Sequence, residues 1–240
     1  MIKCSLCRKP TEKNEGFTLT ELTIVLVIIT LLVGGLMVPL SAQQDAQRTK
    51  ETQKYLSDVR EALMGFAIVN CRLPCPAKSA LATGDAGAGI ADPANGNCSD
   101  AALEGVLPWV TLGVPETDAW GRRLKYRVTE KFAKSATCTP GATAFTLNDN
   151  GAISVLSTSG GNAVASQLPA IIISHSKNGF SAYLPNGEQV AASSDADEQE
   201  NNNGNDTFVS KTATPSFDDL VEWISPNILK SRMITAGRLP

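Results

Sequence analysis

From Leu22 to Leu40 no position carries a charge, and the run consists of apolar residues, Gly, Thr and one Pro. An apolar stretch of that length suits a helix that crosses a bilayer. Beyond Ser41 the pattern changes. Leu56, Val59, Leu63 and Phe66 recur at i, i+3, i+4 spacing, while Asp45, Arg48, Lys50, Asp58 and Arg60 fall off that stripe. This is the signature of a helix with one buried face. The two patterns join without a turn signal and predict one helix from Phe17 to about Val69, roughly 80 Å long at 1.5 Å per residue. Pro39 removes one helical hydrogen bond near Gly34-Gly35, so a kink or local melt is expected there.

The rest of the chain reads in shorter units. Asn70 to Pro76 holds two prolines and two cysteines and forms the exit from the helix. Residues 79–105 are rich in Ala, Gly, Asp and Asn and predict a long loop. Leu124–Thr129, Ala144–Leu147 and Ile153–Leu156 read as strands, with Asn148-Asp149-Asn150-Gly151 as the turn of a hairpin. Ile171-Ile172-Ile173 reads as a buried strand. Lys177-Asn178-Gly179-Phe180 is a turn into a strand over Phe180–Leu184. Residues 185–206 read as a polar, acidic surface loop. Thr207–Ser210 and Leu220–Ile224 are further strands, and Ser225-Pro226 to Gly237 frames a short helix over about 226–236. Helix and strands are segregated, so the class is α+β, with an antiparallel sheet laid on the outer half of the long helix.

Charge gives the first segment a direction. The leader holds Lys3, Arg8, Lys9 and Lys13 against Glu12 and Glu15, while the whole chain carries −3. A basic flank stays cytoplasmic, which places everything after the apolar run on the outer side of the inner membrane. An ordinary secretory signal fits less well, because its apolar core is shorter and a small-x-small cut follows it. A plain anchor explains the length of the run but not Glu21, a carboxylate whose insertion costs roughly 2.5–3.5 kcal/mol.

Lys13-Asn14-Glu15-Gly16-Phe17-Thr18-Leu19-Thr20-Glu21 therefore carries the sharpest signal. It resembles the prepilin signal of type IV pilins and type II secretion pseudopilins: a basic leader, Gly at the cut, Phe as first mature residue, and Glu five places into the mature chain. The resemblance implies cleavage by prepilin peptidase between Gly16 and Phe17, methylation of the Phe17 amine, and a role for Glu21 in assembly, paired with the Phe17 amine of a neighbouring subunit. It implies a pilin-like fold and three segments: a cleaved leader 1–16, a membrane and assembly half 17–40, and a periplasmic globular domain 41–240. Partners would be the peptidase, other pilin or pseudopilin subunits, and an inner-membrane assembly platform. Thr117-Asp118-Ala119-Trp120-Gly121 followed by Leu124-Lys125-Tyr126 resembles the D-x-W-G…Y segment of major pseudopilins, which bind calcium in a C-terminal loop.

Cys71, Cys75, Cys98 and Cys138 are even in number and lie on the oxidising side, so two disulfides are expected. Three connectivities are possible; Cys75–Cys98 with Cys71–Cys138 is favoured. Cys4 and Cys7 sit in the leader, and two ligands do not make a metal site. The acidic stretch with Asp195, Asp197, Glu198, Glu200, Asn201, Asn203, Asn205 and Asp206, and within it Asp195, Asp197 and Asp206 above all, offers oxygen ligands that suit calcium, although no EF-hand spacing is present, and a solvated loop is the plainer reading. The lone His175 ends an apolar strand with no G-x-S-x-G in the chain, which argues for a structural residue and against an enzyme. No Lys/Arg cluster follows the leader, which argues against nucleic acid as ligand. The reading is a structural subunit, minor or specialised, of a type IV pilus or a type II secretion pseudopilus. The alternative is a membrane-tethered binding module such as an adhesin or DNA-uptake receptor.

Overall fold

The computed structural model describes residues 16–139 and 142–239, with the side chains at 35–40 left aside. The leader with Cys4 and Cys7, and the side chains of Gly35 and Pro39, lie outside that description. The chain divides into two units, 1–44 and 45–240. A single helix, α1 (Leu19–Asn70), belongs partly to each. Its backbone is helical through Gly34, Gly35 and Pro39, so the expected local melt does not occur.

In the second unit the elements are β1 (Glu104–Val106), α2 (Trp109–Leu112), β2 (Lys125–Val128), β3 (Ile153–Leu156), β4 (Ala163–Leu168), β5 (Ala170–Ser174), α3 (Ala196–Glu200), β6 (Thr207–Val209), β7 (Leu220–Ile224) and α4 (Pro226–Thr235). One sheet has the order β1-β2-β5-β7, and all its neighbours are antiparallel. A smaller sheet has the order β4-β3-β6, in which β3 and β6 are parallel. The architecture is α+β and pilin-like.

The packing follows from side-chain period. On β2 and β5, Tyr126, Val128, Ala170 and Ile172 turn to one side and meet Leu56, Val59, Leu63, Met64 and Ala67 of α1. Ile171 and Ile173 turn to the other side and meet Ile153, Val155, Leu168 and Phe208 of the small sheet. β5 is covered on both faces, which is why its sequence is continuously apolar instead of alternating. The helix stripe differs in detail from the expectation. It continues through Met64 and Ala67, both buried, and Phe66 is only half-buried with the Arg72 guanidinium 5.4 Å from its ring centroid.

Three strand expectations are corrected. Ala144–Leu147 is not a strand; Phe145 is buried against Phe132, ring centroids 4.6 Å apart. β3 does not form the expected hairpin but pairs with β4, which the sequence reading passed over because Ala163–Leu168 is largely exposed and weakly apolar. Phe180–Leu184 makes only isolated bridges at Tyr183. The 185–206 segment includes the short helix α3, capped by Asp195. α4 starts with Pro226 at its first turn and stops before Gly237, whose φ of 67° reverses the chain.

Candidate functional site: the N-terminal segment and the acidic lobe

Phe17 is 89% exposed at the start of the first unit. Thr18 caps α1. The Thr18 backbone N–H and hydroxyl both donate to Glu21 Oε2, at 2.8 and 2.7 Å, and the Glu21 N–H donates to the Thr18 hydroxyl oxygen at 3.3 Å. This is a reciprocal capping box, which satisfies two of the helix's orphan donors. Its T-x-x-E signal stands in the sequence at 18–21. Behind it Leu22, Ile24 to Ile29 and Leu31 to Val33 are large apolar side chains at least half exposed or close to it. Glu21 is the one charged residue between Phe17 and Gln44. A contiguous apolar surface of this kind marks burial against a partner or a membrane.

Residues 13–37 match the family model of the prokaryotic N-terminal methylation motif. The chain carries the prepilin signal of type IV pilins and pseudopilins. That signal implies processing by prepilin peptidase and assembly with other subunits. No curated protein and no solved structure matches the chain. Among the described residues no helix is long and apolar enough to cross a membrane; the predicted span runs on into 35–40, whose side chains lie outside the description.

In the globular unit, the D-x-W-G segment is a structural turn. Asp118 Oδ1 accepts from the N–H groups of Trp120 and Arg122, at 2.9 and 3.0 Å, and Oδ2 accepts from the Ser174 hydroxyl at 2.6 Å. Gly121, at φ 78°, makes the reversal into β2. Trp120 sits 5.3 Å from the Arg48 guanidinium of α1. The segment thus ties the entry of β2 to the end of β5 and to the helix.

The cysteines pair as Cys71–Cys138 and Cys75–Cys98. Both disulfides start at the exit from α1. They tie the irregular stretches around 98 and 138 to the helix end, within the core that Leu73, Phe132, Ala133 and Phe145 also fill.

Asp195, Asp197 and Asp206 are not brought together. Asp195 accepts from the N–H groups of Asp197 and Glu198 at the start of α3. Asp197 accepts from Thr158, from the Ser159 N–H and from Lys211. Asp206 pairs with Arg127 at 2.8 Å. Instead Glu198, Asp218 and Asp219 place carboxylate oxygens within 4.8 Å of one another. Glu198 Oε1 accepts from the Asn178 amide and the Asp218 N–H, and Asp218 Oδ2 accepts from the Asn178 N–H. Glu198 Oε2 and Asp218 Oδ1 are buried without a partner among the described residues. Burial, reinforced by the neighbouring Asp219 charge, pushes the Glu198 and Asp218 carboxyls above their usual range. Adjacent acids before β7 were the available sequence signal; the residue that completes the group comes from α3, twenty positions away.

His175 is buried. Its Nδ1 lies 3.0 Å from Asp219 Oδ1. Asp219 Oδ2 accepts from Asn201, whose amide also bonds both the N–H and the C=O of Val209 in β6. Asn201, fully buried, joins the end of β5, the acidic group and the small sheet. Nothing in the sequence set it apart within its asparagine run.

Proposed function

We propose that the chain is a structural subunit, minor or specialised, of a type IV pilus or type II secretion pseudopilus. It is cut between Gly16 and Phe17, methylated on the Phe17 amine and assembled through its N-terminal helix. The leader lies in the cytoplasm, residues 17–40 in the inner membrane before assembly, and 41–240 in the periplasm and then on the filament. The observation that carries this is a single carboxylate, Glu21, in the first turn of an exposed apolar helix that begins just after Phe17. A lone charge in an apolar helix bundle is strongly unfavourable, and an amine from the next subunit offsets it. Each incoming subunit would thereby find its axial register. Mass spectrometry of the mature protein tests the reading: it should begin at Phe17 and carry one methyl group. An N-terminus at Met1 in cells that contain the peptidase would refute it.

The acidic group supports a second element of the proposal. Its two orphaned buried oxygens and all-oxygen donor set suit calcium, a hard cation that takes carboxylate ligands. Glu198, Asp218 and Asp219 would hold it, and it would supply the positive charge that these carboxylates lack. Isothermal titration with calcium should give binding to the native chain that Asp218→Asn removes.

A further inference from the structure

A cavity of about 300 Å³ opens beside His175 and is lined mainly by polar side chains from β1, β2 and the 175–202 segment. Its two cations are already saturated. Lys125 Nζ donates to the Asn201 carbonyl, to Asn202 Oδ1 and to Glu104. Arg123 donates to Glu116, Thr83 and the carbonyls of Ser79, Leu81 and Pro185. Neither has a free N–H for an anion, and the Glu104 carboxylate in the wall repels one.

The groups left with open valences are hydroxyls, side-chain amides and one imidazole. They are the hydroxyls of Ser79, Ser181 and Tyr183, Gln189 Oε1, Asn202 Nδ2 and His175 Nε2, none of which has a partner among the described residues. Gln189 and Asn202 have each committed the other end of their amide, to the Ser181 carbonyl and to Lys125. That fixes Gln189 as an acceptor and Asn202 as a donor toward the cavity. Asp219 orients the imidazole in the same way: with Nδ1 turned to the carboxylate, Nε2 is the ring nitrogen left for a ligand. Ser181 is held at φ 63° and Ser176 at φ 42°, conformations uncommon for residues with a Cβ, on either side of the turn that follows His175.

We propose that this cavity binds a neutral polyhydroxylated ligand, a single sugar ring. Alternating fixed donors and acceptors match hydroxyl groups, each of which both gives and takes a hydrogen bond. The Tyr183 ring adds an apolar wall for the C–H face of a sugar. The volume lies at the lower end for small-molecule sites, which suits one ring.

The test uses the full processed chain, unassembled, in a sugar-free detergent. Saturation-transfer NMR is run with glucose, galactose and N-acetylglucosamine, and with ³¹P linewidths of inorganic phosphate as the anion control. At least one sugar should receive saturation. Gln189→Ala and Tyr183→Ala should each weaken it by about tenfold, the loss expected from one to two hydrogen bonds. Gln189 is exposed, so its variant keeps the fold if Tyr183→Ala does not. No transfer from any of the three sugars at millimolar concentration, transfer unchanged in Gln189→Ala, or phosphate binding in their place would each overturn the proposal. Assembly is not measured here, so failure would leave the filament reading as it stands.

Discussion

Glu21 has one role within its own chain and a proposed second one between chains, and the two can be separated by substitution. Within the chain it closes the capping box on Thr18; between chains it would meet an amine. Glu21→Gln keeps an acceptor for the Thr18 N–H and removes only the charge. Hydrogen exchange over 18–22 should stay near wild type while filament incorporation falls. Thr18→Ala should do the reverse, loosening the first turn by about 1 kcal/mol with incorporation largely kept. Equal incorporation of Glu21→Gln and wild type would remove the charge-pairing argument. The acidic group makes a second residue-scale prediction. The Glu198 and Asp218 carboxyls are raised in the folded state, so they stabilise the fold below the unfolded value of about 4 and lose that contribution as pH rises through their folded values. Asp195, held down first by the Ser216 hydroxyl, acts in the opposite sense and weakens the fold as pH falls below about 4. Denaturant melts in chelator should therefore show stability declining as pH rises above about 4. Asp218→Asn should flatten that decline, and a wild-type profile that rises instead would contradict the assignment.

Among the elements, the outer half of α1 and the sheet depend on each other. Leu63→Asp would put an unpaired charge beneath Tyr126 and Ile172, at several kcal/mol, and the unit should fail to fold. His175→Ala is milder but not silent. It leaves Asp219 buried with Asn201 as its remaining partner, and about 1–3 kcal/mol should be lost in a urea melt. The disulfides add a third comparison. They span 67 and 23 residues, so loop-closure entropy assigns about 4 kcal/mol to Cys71–Cys138 and about 3 to Cys75–Cys98. Paired Cys→Ala variants, melted separately, should follow that order, and intact protein should show no free thiol at these four positions. The elements also show where sequence reading works. β5 and the buried stripe of α1 were legible because burial writes a period into the residues. β4 and the end of the stripe were not. An exposed edge strand carries little apolar signal, and whether Phe66 or Met64 fills the core depends on what the sheet presents.

For the molecule as a whole, function and fold were legible to different degrees. The sequence alone determined the long helix, the segregation of strands after it, the α+β class and the prepilin signal. Each of these is local: a 3.6-residue period, a run without charge, a cut site within nine residues. The sequence also offered four cysteines after the apolar run, but the pairing was a choice among three. Tertiary structure decided that pairing, because it alone brings 138 back to the exit of α1. It decided the strand partners as well, where β3 joins β4 and β6 instead of a neighbour across a tight turn. Of the acidic stretch it kept Glu198 and joined it to Asp218 and Asp219, while Asp195, Asp197 and Asp206, near in sequence on a short helix and loop, point to different partners. It also assembled the polar cavity beside His175 from residues between 79 and 202. The physical reason is the same throughout. Helices and signals are set by neighbours along the chain, whereas a site is set by which side chains the closed core leaves facing one another without a partner.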